Sequence, residues 1–296
     1  MKIILLLCIT VILNSCNSEK KIVPGEAKNE ASESPRPTST NNIGTKSEVS
    51  DTNKNLYGYY TGEFLAVEYD DSKEYTYSNV ITVSIDSIVG SMLYGHSIVA
   101  GNDRPFKGMY ENKNGVYSAE VSEPGDDKYD GVFYFSIDPA SQKISGTWKS
   151  NSKDVYVTKR QYDLNKKLFV YDKNNSIPQE KNWNALYDRD PKFPDKIETL
   201  TEDVSKINAS NTLLKKENVE NMFKGDLEVI RNSIYARHGY SFKNRKIRYF
   251  FDNAVDWYMP VSTDVRNELT ELELKNIDML KRYEDHAGKY YDDYGR

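Results

Sequence analysis

Cysteine is almost missing from this chain: Cys8 and Cys16 are the only two among 296 residues. No disulfide framework can brace the folded parts, which must stand on their own apolar cores. Cysteine nucleophiles and thiolate metal sites are excluded by the same shortage. Histidine is scarce too, and His96, His238 and His286 lie at no spacing that would gather them around a metal. No apolar run reaches the roughly 20 residues a spanning helix needs. Positive charge is not in excess either, since the formal net charge is −5, and −6 once residues 1–15 with their single Lys2 are taken away. That balance argues against nucleic acid as a partner. The sequence also lacks a Gly-x-Ser-x-Gly elbow, a His-Glu-x-x-His helix, a Gly-rich phosphate loop and a Cys-His pair, so it predicts no enzyme, no cofactor and no metal site.

What is present begins with Lys2 and the apolar run Ile3 to Leu13, which has the length of a secretory signal core. The run closes on Leu13-Asn14-Ser15-Cys16, which resembles the lipobox of bacterial lipoprotein signal peptides. There an aliphatic residue and two small residues precede the cysteine that is acylated and heads the mature protein; Asn14 is bulkier and more polar than its position usually carries. The resemblance implies removal of residues 1–15, lipid on Cys16 and attachment to a membrane. The expected location is the cell envelope outside the cytoplasm, at the outer membrane of a Gram-negative bacterium. Several acyl chains make such an anchor stable where one gives marginal binding.

Residues 16–55 are rich in Ser, Asn, Thr, Lys, Glu and Pro, with almost no apolar side chains. Such a stretch cannot bury enough surface to offset its ordering entropy and reads as a disordered tether. From 56 to 161 the pattern changes to short β-branched and aromatic runs divided by Gly, Asn, Asp and Pro. Strands are predicted near 58–69, 78–87, 92–99, 104–110, 115–123, 129–137, 142–149 and 154–160. Alternation in Ile81, Val83, Ile85 and in Phe133, Phe135, Ile137 gives one buried face. Eight such strands suggest an antiparallel meander, and closing it into a small barrel would remove its edges. Gly146-Thr147-Trp148 resembles the Gly-x-Trp element of lipocalin-type barrels, though it falls late in the domain. The carboxylates Asp126, Asp127 and Asp130 lack the spacing of a calcium loop and read as part of a hairpin turn. Residues 162–205 form a connector punctuated by Pro178, Pro191 and Pro194, in which Leu168-Phe169-Val170-Tyr171 is a further candidate strand.

Beyond the connector the periodicity becomes helical. Leu227, Ile230 and Ile234 define one helix face, and Gly239 stands where a C′ glycine would, with Tyr240 placed to pack on Tyr235. Ile247, Phe250 and Phe251 mark a second helix. Thr270-x-x-Glu273 is a capping box, flanked by Leu269 and Leu274 as a hydrophobic staple, and it opens a third helix whose face carries Leu272, Ile277, Met279, Leu280 and Tyr283. The fold class is therefore multidomain α+β: a β meander or small lipocalin-like barrel, then a small all-α domain.

The segment Ile234-Tyr235-Ala236-Arg237-His238-Gly239-Tyr240-Ser241-Phe242 contains the signature of the YARHG domain. Arg231-Asn232 before it, Tyr249-Phe250 and Trp257-Tyr258-x-Pro260 after it, and Asn276-Ile277-x-x-Leu280 extend the likeness over about residues 208–285. The domain is drawn at 206–285, with a tail at 286–296. The resemblance implies an exported bacterial protein with a binding or envelope role and no defined reaction.

Ligand-binding candidates are Tyr235, Arg237, His238, Trp257 and Tyr258. Trp257-Tyr258 offers flat rings suited to sugar or peptide, or simply a buried core. His238 follows the Leu227, Ile230, Ile234 face and suits a core or capping role at a helix C-terminus as well as ligand contact. The basic run from Arg237 through Lys243, Arg245, Lys246 and Arg248 precedes the acids Asp252, Asp256, Asp264, Glu268, Glu271 and Glu273. These halves could pair with one another, or the basic half could face an anionic ligand. The leading reading is a lipid-anchored, non-enzymatic binding protein for envelope glycan, anionic polymer or protein. The alternative is a lipocalin-like carrier of a small molecule or lipid in the β domain.

Overall fold

A computed structural model describes residues 53–179 and 200–290. The expected signal, the lipidated Cys16 and most of the tether lie outside those residues, as do much of the connector and the last six residues. Among the described residues, no helix is long and apolar enough to cross a membrane.

Eight antiparallel strands close into a barrel, each pairing with its sequence neighbours and β1 with β8. They are β1 (Gly58–Tyr69), β2 (Ser78–Val89), β3 (Met92–Val99), β4 (Asn102–Lys113), β5 (Val116–Ser122), β6 (Gly131–Asp138), β7 (Lys143–Ser150) and β8 (Val157–Lys166). The predicted order and number of strands hold, because turn residues at short spacing leave sequential pairing as the cheapest topology. Strand β8 runs six residues past its predicted end, and Arg160, Tyr162 and Leu164 keep the inward alternation. Leu168 to Tyr171 forms no strand. With every barrel edge already paired there is none left to join, and Leu168 and Val170 stand exposed.

An eight-stranded barrel is just wide enough for its side chains to fill. Here Tyr60, Val83, Ile85, Leu93, Phe106, Phe133, Phe135, Ile144, Tyr162 and Leu164 pack into one interior cluster. Ring contacts run through it, Phe106 to Phe133 at 5.6 Å and Phe133 to Tyr162 at 5.9 Å between centroids. A short 3₁₀ turn (Lys54–Leu56) closes the end where β1 begins: Leu56 is fully buried in the cluster and its carbonyl accepts from the Tyr60 hydroxyl at 2.9 Å.

The helical region comprises α1 (Asp203–Lys206), α2 (Lys216–Val219), α3 (Lys224–Arg237), α4 (Arg245–Ala254) and α5 (Glu271–Tyr290). The three longer helices answer to the three predicted ones; α1 and α2 are too short to leave a periodic signal. Helix α3 buries Leu227, Ile230 and Ile234 against Ile277 and Leu280 of α5. Its C-terminus is a Schellman ending: Gly239 N–H donates to Ala236 O at 2.9 Å and Tyr240 N–H to Tyr235 O at 3.1 Å. Gly239 has φ +74°, and a Cβ there would meet Val261 and Phe169, so glycine is required twice over. The capping box on α5 also forms, with Glu273 accepting from Thr270 N–H at 2.9 Å and Thr270 Oγ1 from Glu273 N–H at 3.3 Å. Leu274, on the outer side of the expected staple, is exposed.

Candidate functional site

Two polar clusters are built from this frame. The first surrounds the signature residues. Arg237 is buried at the end of α3, where its Nε donates to Asn175 O at 2.8 Å and its Nη1 to the hydroxyls of Ser233 and Ser210 at 2.8 and 3.3 Å. Its guanidinium lies 5.6 Å from the Trp257 ring centroid, and burial pulls its pKa down to about 10. Trp257 Nε1 donates to Ser176 O at 2.7 Å. His238 is buried and stacks on Tyr171 with ring centroids 4.3 Å apart, and its Nε2 lies 2.9 Å from Glu273 Oε2. Tyr171 donates to the other oxygen, Oε1, at 3.1 Å. Burial alone would raise the Glu273 carboxyl, but hydrogen bonds from His238, the Thr270 amide and Ser210 override it and hold the group at about 2. Glu273 is thus an anion, and Nε2 of His238 carries the proton between them. Burial, and then the same Glu273, push the Tyr171 phenol up to about 12.

Residues 171–177 thereby become a strap laid over the helices. Tyr171 rests on His238, the carbonyl of Asn175 on Arg237, and that of Ser176 on Trp257, while Ile177 enters the apolar cluster of Phe250 and Phe251. Tyr258 is buried and donates to Tyr240 O at 2.8 Å, with burial raising its pKa well above the ordinary tyrosine value. Tyr235 is half-buried on the opposite side, where it lines a surface cleft with Arg231, Tyr240 and Arg266. Of the five candidate residues, Arg237, His238 and Trp257 meet at the strap; Tyr258 and Tyr235 do not join them.

The second cluster lies at the open end of the barrel, where α4 and the segment before it cover the mouth. A cavity of about 470 Å³ opens there. Its floor is aromatic: Phe64, Phe133 and Trp148, with Phe64 to Trp148 at 5.9 Å and Phe64 to Phe133 at 6.3 Å between centroids. Lys243, Arg245 and Arg248 line it from the helical side.

The buried acids on the β5–β6 side, Glu123 and Asp130, are already matched, while Asp127 is exposed and accepts from the Tyr129 amide at 2.8 Å. Glu123 accepts from Ser97 Oγ at 3.0 Å, Gly131 N–H at 2.7 Å and Trp148 Nε1 at 3.2 Å, and burial raises its pKa in spite of them. Asp130 is buried, which would raise its carboxyl, yet Arg104 at 2.6 and 2.8 Å and the Gly125 and Asp127 amides keep it low. Arg104 also binds Asp126, so the expected hairpin carboxylates clamp an arginine.

Arg160 sits on the other side, inward on β8 and 9% exposed. Its Nη1 donates to Phe64 O at 2.8 Å and Tyr77 O at 3.3 Å, and its Nη2 to Thr76 O at 3.0 Å, with the guanidinium 5.1 Å from the Phe64 ring centroid. It has no carboxylate partner among the described residues. Burial, and then the like charge of Arg248, lower its pKa to about 10.

The two parts are joined at this mouth. Arg248 Nε donates to Asn79 Oδ1 at 3.0 Å, Arg245 pairs with Glu74, Val80 N–H donates to Asp252 Oδ2 at 3.1 Å, and Gly101 N–H donates to Ser241 Oγ at 3.0 Å. Among the described residues, Arg245 and Lys246 take ion-pair partners in Glu74 and Glu228, outside the acidic half that follows them in sequence. Of the basic run, Lys243, Arg245 and Arg248 face the barrel mouth, while Arg237 and Lys246 bond within the helical region and its strap. Arg160 was not singled out in the sequence, although an arginine in phase with Tyr162 and Leu164 is the signal that could have found it: a charge at an inward position.

Residues 203–285 match the YARHG domain. No curated protein matches the chain.

Proposed function

We propose that this chain is an exported lipoprotein, anchored through lipid on Cys16, whose folded part binds a ligand at the cell envelope without catalysis. The apolar run Ile3 to Leu13 ending at Cys16 supports the anchor, and the YARHG domain supports a binding role. The observation that carries the reading is the mouth cavity. Its walls come from both the barrel and the helical region, its volume is about 470 Å³, and it combines an aromatic floor with a few fixed polar groups. That is the composition of a ligand pocket. The ligand would be an envelope glycan, an anionic polymer or a protein.

The test is retention of the purified full-length Cys16→Ser chain by isolated envelope fractions; no retention sinks the binding reading. Labelling with a clickable fatty acid in cells, compared with Cys16→Ser, checks the anchor separately. If label is not incorporated, what is left is a secreted protein with the same folded part.

A second reading is a lipocalin-like carrier, and the apolar floor of Phe64, Phe133 and Trp148 favours it. A carrier of that kind would hold its ligand at the mouth, because Tyr60, Ile85, Leu93 and Phe106 already occupy the space beneath.

A further inference from the structure

Among the charged groups of the mouth cavity, Arg160 combines burial with N–H donors that have no partner among the described residues. Glu123 and Asp130 have their partners, Arg104 is bound by Asp126 and Asp130, and Arg245 by Glu74. A guanidinium has five N–H donors in a fixed fork. Three of those on Arg160 are used on backbone carbonyls, leaving Nε–H and one Nη2–H without a partner among the described residues. Nε is not sealed from solvent, and the side chain lines the cavity. A buried guanidinium supplied only with neutral acceptors has lost its hydration without gaining a counter-charge. Arg248 adds a like charge beside it, and Asp252, the acid that feels Arg248, is bound to the β2 backbone and does not line the cavity. Lys243, exposed at the rim, makes no ion pair among the described residues. The basic corner therefore stands directly over an aromatic floor.

Resting on the mouth-cavity reading above, we infer that the ligand is an amphiphilic organic anion. Its carboxylate, sulfonate or phosphate head would take the free edge of Arg160 beneath Lys243 and Arg248, and its flat apolar body would lie on Phe64, Phe133 and Trp148. The Nε and Nη2 edge of arginine suits a two-oxygen head. On the opposite wall Glu123 and Asp130 are already hydrogen-bonded and the exposed carboxylate of Asp127 repels an anion, which orients the ligand with its charge toward β8.

The experiment titrates the full-length Cys16→Ser chain with anilinonaphthalene sulfonate and with phenylnaphthylamine, which keeps the rings and lacks the sulfonate. The sulfonate is expected to bind at least about ten-fold tighter than the neutral compound and to be displaced by phenyl phosphate. Arg160→Met should abolish that preference. Lys243→Glu, at an exposed position that leaves the fold intact, should weaken the sulfonate about three-fold and leave the neutral compound unchanged. Near-ultraviolet circular dichroism checks each variant for native packing, and if Arg160→Met does not fold, Lys243→Glu decides. Equal affinity for the two probes, or a sulfonate affinity indifferent to Lys243→Glu, overturns the inferred ligand class. Envelope retention by the same protein would then show the binding reading surviving without it. Loss of both retention and probe binding would remove the two together.

Discussion

Arg237 and Arg160 are both buried guanidiniums, held largely by backbone carbonyls and hydroxyls, and burial lowers each to about 10. Their surroundings differ. Arg237 is closed in by the strap, the Trp257 ring and a nearby anion, Glu273, and its remaining Nη2 faces no open space. Arg160 has an aromatic ring on one side and a cavity on the other. One arginine fastens a segment of the chain to a helix bundle; the other presents unused donors where a ligand can reach them. The residue type alone does not separate these roles. The neighbours and the access do.

The largest effect expected from this contrast is on stability. Arg237→Ala strips the hydrogen bond from the Asn175 carbonyl and leaves a hole beneath the strap, and should cost about 3 kcal/mol in urea unfolding. Ligand binding at the mouth should persist in that variant wherever it remains folded. A loss of binding in folded Arg237→Ala would show the two regions to be coupled.

Next in size is Gly101→Ala. Gly101 has φ +77°, and a Cβ would stand 2.6 to 2.8 Å from Lys243, including its backbone. Strain and clash together should cost about 2 kcal/mol and loosen the helical region from the barrel mouth. Probe binding should fall along with stability, which would distinguish this site from Arg237.

Acidity should act on the two regions in opposite senses. Glu273, held at about 2 against an ordinary 4.5, stabilises the strap above pH 4.5, and that contribution fades as the pH drops toward 2. Asp252, at the junction with β2, is pushed up to about 7 from 3.8, first by burial. Its protonated form fits the folded state, so its contribution is full below 3.8 and is lost as the pH rises through 7. Asp252→Asn should flatten the stability profile between about pH 4 and pH 7, whereas Glu273→Gln should flatten only the acid limb. Parallel changes in both variants would contradict the separation.

Smallest is Trp257→Phe, which removes the indole bond to Ser176 O and keeps a ring near Arg237. About 1 kcal/mol of stability should go, read by thermal unfolding, with no change in probe affinity.

Much of the fold was legible in the sequence because it is carried by local signals. Alternating residues such as Phe133, Phe135 and Ile137, short turns, the C′ glycine Gly239 and the Thr270 capping box each act within a few residues and recur in the structure. Barrel closure was foreseeable only as the remedy for open edges. Leu168 to Tyr171 misled because an apolar run of four does not reveal whether a sheet edge remains to receive it.

The sequence singled out Tyr235, Arg237, His238, Trp257 and Tyr258, of which Arg237, His238 and Trp257 meet at the strap and Tyr235 and Tyr258 do not. What a single sequence hides is the partner of each charge. Lys246 meets Glu228 on the preceding long helix and Arg245 meets Glu74 on the far side of the barrel sequence, and although the phase of Arg160 with Tyr162 and Leu164 marks it as inward, its unused donors are visible only in the structure.

The most direct measurement compares envelope retention of the full-length Cys16→Ser chain with that of the same chain carrying Arg160→Met and Lys243→Glu, with Trp257→Phe alongside. A ligand seated at the barrel mouth predicts retention by the parent and by Trp257→Phe, and its loss in the mouth variant with native circular dichroism. Equal retention by all three would contradict the account.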